Sequence, residues 1–198
     1  TFGPVADSPS GAHATVTNSS GTATNFATAT AISFSEGVAT VTSGKNGQMV
    51  LVKAGSTSVT VSDGSITNGS GLAITVSPGP GARIAWTHAA VSAGKLSSPC
   101  LFTCTGTEMG SSGTFKANVS ITDASGNTVT GLGSGHTVTV TSTAGGTITG
   151  SPLTIATSGS AESTTQFTYT SSKGGAMTLT AATASGTVYT SATATMSR

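Results

Sequence analysis

Charge is scarce in this chain of 198 residues: seven basic and six acidic side chains leave a formal net charge of +1. With no basic patch to neutralise a phosphate backbone, nucleic-acid binding has little electrostatic support. The lack of an acidic run or a basic amphipathic stretch argues equally against a membrane-surface role. No apolar run approaches the roughly 20 residues that a spanning helix needs, so direct membrane insertion is not expected. Cysteine is limited to Cys100 and Cys104, and tryptophan to Trp86. The opening "TFGPVADSPS" has no Met, no charged start and no apolar centre. It is expected to belong to a trimmed or excised chain that begins after any export signal.

Roughly a third of the residues are Ser or Thr, and they alternate with Val, Ile, Leu, Phe and Ala. Disordered chains are poor in apolar residues and rich in net charge, and this one is neither. The mixture favours strands and tight turns, and helical periodicity is absent. "FKANVSITDASGN" places Phe115, Ala117, Val119 and Ile121 on one face and ends in a turn at Asp123–Asn127. "HTVTVTS" puts Val138 and Val140 inward, "QFTYTS" does so with Phe167 and Tyr169, and "AMTLTAA" with Met177, Leu179 and Ala181. "SATATM" continues through Ala192, Ala194 and Met196. "VATVTSGKNGQMVLV" reads as a hairpin turning at Asn46-Gly47, a pair suited to positive φ. The class is all-β, a sandwich or barrel of short strands.

"SPGPG" at residues 77–81 breaks the strand pattern and marks a boundary. An internal repeat supports it. Shifted by 120 residues, "KAGSTSVTVSDGSITNGSGLAITVS" (53–77) meets "KGGAMTLTAATASGTVYTSATATMS" (173–197) without a gap. Lys53 falls on Lys173, Val59 on Leu179, Ile74 on Ala194 and Val76 on Met196. Upstream, "SGAHATVT" (10–17) matches "SGHTVTVT" (134–141) at a shift of 124. The first unit, 1–78, therefore matches only the later strands of the second, 79–198. It lacks counterparts of "ARIAW" through "FKANVSITD".

"GTFKANVSITDASGNTVTG" with "HTVTVTSTAGGTITG", and "KAGSTSVTVSDGS" running on to "LAITVSPGPGARIAW", resemble the bacterial immunoglobulin-like repeats of surface proteins in the broad invasin/intimin-like group. The resemblance implies two tandem immunoglobulin-like β-sandwich domains, the first lacking its leading strands or completed by another strand. It implies a structural surface module, extracellular or at the cell surface, with neighbouring immunoglobulin-like domains of the same or another copy as partners. It transfers no active site and no cofactor. "SSPCLFTCTGTEMGSSG", within 95–113, reads as an insertion between the first two strands of the second unit.

Even number, close spacing and apparent export suggest a disulfide between Cys100 and Cys104; two quiet thiols are the alternative. The C-x-x-x-C spacing is not the redox C-x-x-C, and no third or fourth ligand nearby completes a metal site. His13, His88 and His136 are scattered, and no Ser, His and Asp grouping can be assembled into a triad. Asp123 and Asn127 would offer oxygens to Ca²⁺, but about six are needed, and an Asx-stabilised turn explains them more simply. Lys116 would have to point inward to form a Lys–Asn crosslink, and the alternation favours the outward face. Asn18, Asn68 and Asn118 begin N-x-S triplets. Trp86, Phe102 and Tyr189 would make a glycan platform if exposed; a core tryptophan is the plainer reading.

These readings lead to a non-enzymatic stalk or adhesin repeat. A homopolymeric filament or sheath built by strand complementation is the alternative, with a viral decoration or tail module as its variant. A carbohydrate-binding module ranks third. The strand at Ala14–Thr17 poses the sharpest question, because the sequence leaves open which strands flank it.

Overall fold

The computed structural model describes residues 1–97, 100–171 and 174–198, with 111 and 112 described as backbone only. Ser98 and Pro99 of the expected insertion, and Lys173 of the repeat, lie outside them. Among the described residues every regular element is a strand, and no helix is long and apolar enough to cross a membrane. The chain divides into two compact units, Thr1–Ser77 and Pro78–Arg198.

The second unit holds β6 (Arg83–Lys95), β7 (Thr103–Thr122), β8 (His136–Ser142), β9 (Gly146–Thr149), β10 (Leu153–Ile155), β11 (Phe167–Ser171), β12 (Met177–Ser185) and β13 (Ala192–Ser197). The pairing order is β10-β8-β12-β13-β7-β11-β9, with β6 on β7. The twenty-residue β7 has two partners besides β6. Thr103–Glu108 runs parallel to β13, and Thr114–Ala117 runs antiparallel to β11. One strand thus serves both flanks of a single core, an arrangement that fits a β-sandwich.

Alternation explains that core. Phe115, Ala117, Val119 and Ile121 of β7 are fully buried, as are Phe167 and Tyr169 of β11 and Leu179 and Ala181 of β12. Trp86 packs edge-on to Phe115 at 6.0 Å and tilted against Phe167 at 5.5 Å. Its indole N–H donates to the Thr193 carbonyl at 3.0 Å, so a large apolar body is buried without orphaning its polar tip.

The expected insertion is shorter than the sequence suggests. Residues 103–113 belong to β7, because they pair with β6 and β13 on either side. Gly94, Gly110 and Gly113 permit this, since a Cβ at any of them would meet backbone of the facing segment at 2.0–2.8 Å.

The first unit holds β1 (Thr15–Thr17), β2 (Ala23–Asn25), β3 (Met49–Val50), β4 (Gly55–Val59) and β5 (Leu72–Val76). They form a sheet β2-β1-β3 and a separate pair β4-β5. The strand at Ala14–Thr17 is therefore flanked on both edges by its own unit, at Val16↔Thr24 and Val16↔Met49. The expected hairpin at Asn46-Gly47 is corrected in part. Both residues do take positive φ, 60° and 101°. The preceding stretch does not pair with Met49–Val50, however; β3 pairs with β1, and the Asn46 side chain bonds Ser33 and Thr40. The core here is small: Phe2, Ala14, Val16, Phe26 and Val59.

Candidate functional site

Cys100 and Cys104 lie at disulfide distance, their Cα atoms 4.5 Å apart. Cys104 is buried in the core of the second unit. The turn between them hands out its backbone: the Leu101 carbonyl accepts the Trp86 N–H at 2.7 Å, and the Phe102 carbonyl accepts that of Thr193 at 3.0 Å. The pair therefore shapes a short segment that joins β6 to β13. The Arg83 guanidinium sits 3.6 Å over the Phe102 ring, a cation–π contact that covers its face.

Trp86 and Tyr189 are buried and Phe102 is half-covered under Arg83, so the three aromatics form no open platform. Lys116 is exposed on the outer face of β7, which leaves the crosslink without its buried amine. Asp123 is saturated by protein donors. Its carboxylate accepts from the Gly79 N–H at 2.9 Å, the Ser125 and Asn127 N–H groups at 2.9 Å each, and the Asn127 amide at 3.0 Å. Burial pushes its pKa up, but these donors outweigh burial and hold it below the ordinary carboxylate range. It behaves as an Asx turn that also fastens the SPGPG connector at Gly79. Among the described residues no group of three or more His, Cys, Asp or Glu is placed to hold a metal ion.

His13 and His136, near-equivalent in the repeat, have opposite surroundings. His13 is exposed and meets Asp7 at 2.9 Å. His136 is buried, with Nδ1 at 2.8 Å from the Ser134 carbonyl and Nε2 at 3.3 Å from the Tyr189 hydroxyl. Gly186 makes room for it, since a Cβ there would fall 2.4 Å from the ring. Among the N-x-S asparagines, Asn118 is tied through its amide to the Ser163 and Thr165 carbonyls, and Asn68 to that of Val59. Asn18 instead accepts three hydrogen bonds on Oδ1, from the Ser20 N–H and hydroxyl and the Thr22 N–H.

Two features escape a reading of the sequence. Glu162 accepts from the Thr87 hydroxyl and lies 3.3 Å from His88 Nε2, at a bulge in β6 where His88 has φ 50°. These three side chains pin the irregular strand, and nothing in their spacing (87, 88, 162) announces the contact. The second feature is apolar exposure. Phe34, Val38, Val41, Met49, Val50, Val61, Ile66 and Leu72 of the first unit are all exposed. Phe2, Ile32, Phe34 and Val61 line an open groove of about 540 Å³ with Asp63 at its rim. Backbone N–H groups of Ile66 and Ser65 lower the Asp63 pKa, so it stays ionised. The groove is lined mainly by apolar side chains.

The chain matches no protein-family model, no curated protein and no solved structure. The immunoglobulin-like resemblance therefore rests on the strand and turn motifs quoted above. Apart from the apolar groove, these contacts mostly tie one strand or turn to another.

Proposed function

We propose that the chain is a non-enzymatic structural module of an extracellular surface protein, a segment of an array of immunoglobulin-like domains. The observation that carries this reading is the repeat-bearing chain split into two compact units at a Pro/Gly connector, with Gly79 of that connector fastened to buried Asp123. A short Pro/Gly connector between compact units suits a spacer. Oxidised Cys100 and Cys104 would fit an exported protein. Antibodies raised against the chain test the location: labelling of intact producing cells, removed by external protease, is expected. Labelling only after cell lysis would overturn the reading.

A second reading, a subunit of a strand-complemented filament, draws on the eight exposed large apolar residues of the first unit. Patches of that kind on a soluble domain mark interaction surfaces. Electron microscopy of the native material separates the two readings. Long uniform fibres built from this chain alone would favour the filament.

A further inference from the structure

We propose that two copies of this chain pair edge to edge through β5, with a two-fold axis at Ile74, to make a continuous antiparallel sheet β4-β5-β5-β4. The inference does not rest on the stalk reading, because pairing through β5 and the location of the protein are independent outcomes.

β5 pairs with β4 on one edge only. Its orientation follows from β4: the Thr60 carbonyl accepts the Gly3 N–H, and the Ser62 N–H donates to Thr1, on the far side of that strand. Val61 faces the other way, bonding Asn68 through both its backbone groups. Strand alternation then turns Val59 towards β5, opposite Leu72. The N–H and C=O groups of Ala73 and Thr75 are left pointing out of the open edge.

An edge of this kind invites another strand unless something blocks it. The second unit blocks its own long edge. β6 carries register shifts at Thr87/Ala90 and Ser92/Gly94, positive φ at His88 and Ala93, and Lys95 at its end. β10 and β9, at the ends of the ladder, are only three and four residues long. β5 has none of these devices. Its register with β4 is unbroken over five residues, and no charged residue occurs between Asp63 and Arg83. The structure also offers an internal precedent: β13, the repeat counterpart of β5, uses its other edge to bind β7.

The sequence of β5 selects a second copy as occupant, because Leu72-Ala-Ile-Thr-Val76 is complementary to itself. With Ile74 opposite Ile74 of the other copy, Leu72 faces Val76 and Val76 faces Leu72 on one side of the sheet. Ala73 faces Thr75 on the other. The outward groups of Ala73 and Thr75 then exchange four hydrogen bonds across the axis. No like charges meet, which a two-fold arrangement of charged edges would enforce. Leu72, 60% exposed in the single chain, is covered.

The test is oligomeric state in the wild-type chain, measured by light scattering from micromolar to millimolar concentration. A dimer in equilibrium with monomer is expected. Thr75→Pro removes two of the four edge donors without touching the β4 ladder, and should raise the dissociation constant about tenfold or more. Hydrogen exchange at Thr57 and Val59 shows whether the hairpin survives that change. Ile74→Cys probes the axis directly. Facing residues of a non-hydrogen-bonded pair have Cα atoms about 4.5 Å apart, close enough for a disulfide. Rapid oxidation to a covalent dimer is expected, faster than for exposed Val188→Cys. A chain that stays monomeric at millimolar concentration overturns the proposal. So does a dimer indifferent to Thr75→Pro, or an Ile74→Cys variant that crosslinks no faster than Val188→Cys.

Discussion

Val59, Ile74 and Val76 in the first unit and Leu179, Ala194 and Met196 in the second occupy matching positions of the repeat, yet their surroundings differ. The second set is fully covered; of the first, only Val59 is buried while Ile74 and Val76 are half-covered. β8 in the second unit lies between β10 and β12. Its counterpart β1 lies between β2 and β3, and β4, the counterpart of β12, joins β5 and the N-terminal residues instead. The cause is the β6–β7 hairpin. It brings Trp86, Phe115, Val119 and Ile121 to the second core, and the first unit has no such element. Among the described residues, related strands therefore give a core of twenty-three buried residues in one unit and five in the other. Strands of this type do not carry their own stability; they acquire it from the face that covers them.

Phe115→Ala breaks the richer side of this comparison. Loss of a fully buried aromatic should cost about 3–5 kcal/mol and shift the urea midpoint of the second unit. Trp86 is the one tryptophan and sits in that core, so its fluorescence reads the second unit alone. Val16→Ala and Val140→Ala sharpen the contrast, since both side chains are buried and fall on matching positions. Each should cost about 2 kcal/mol. In a core of five the loss is expected to abolish amide protection throughout the first unit, whereas Val140→Ala only lowers the unfolding midpoint of the second.

Asp123→Ala should destabilise the second unit by about 1–3 kcal/mol, because several donors lose one acceptor. Its carboxylate is held at a lowered pKa in the fold. The stabilisation is therefore present above the unfolded value of about 4 and fades as pH falls through the folded value. Acid titration should show a stability loss below about pH 4 that is reduced in the alanine variant. The smallest effect has the opposite sign. The Ser120 hydroxyl is buried with no hydrogen-bond partner, so Ser120→Ala is expected to raise stability by about 1 kcal/mol in thermal unfolding.

Inward positions were legible because alternation is local. Val138, Val140, Phe167, Tyr169, Met177 and Leu179 all lie where period-two spacing puts them. The turn at Asp123–Asn127 was legible for the same reason, since its donors come from the next four residues. The extent of β7 was not. "TCTGTEMGSSG" has the composition of a loop, and only pairing to β6 and β13 makes it strand. The Glu162–Thr87–His88 contact and the fate of the Asn46-Gly47 turn depended likewise on partners far away in the chain.

Read alone, the sequence specifies an all-β chain and which faces of its strands are apolar. Each follows from spacing over a few residues. Tertiary structure decided which strands are neighbours, which edges stay open, and the register of β4 on β5. The gapless repeat maps Met177↔Met196 onto Thr57 and Val76, but Thr57 faces Ile74. That slip of two residues preserves every inward face, so the hydrophobic pattern cannot distinguish the two registers. In strands built from Thr, Ser, Ala and Val, many pairings satisfy the same alternation. The choice among them falls to the large side chains of the covering hairpin, and where that hairpin is missing the edge remains open.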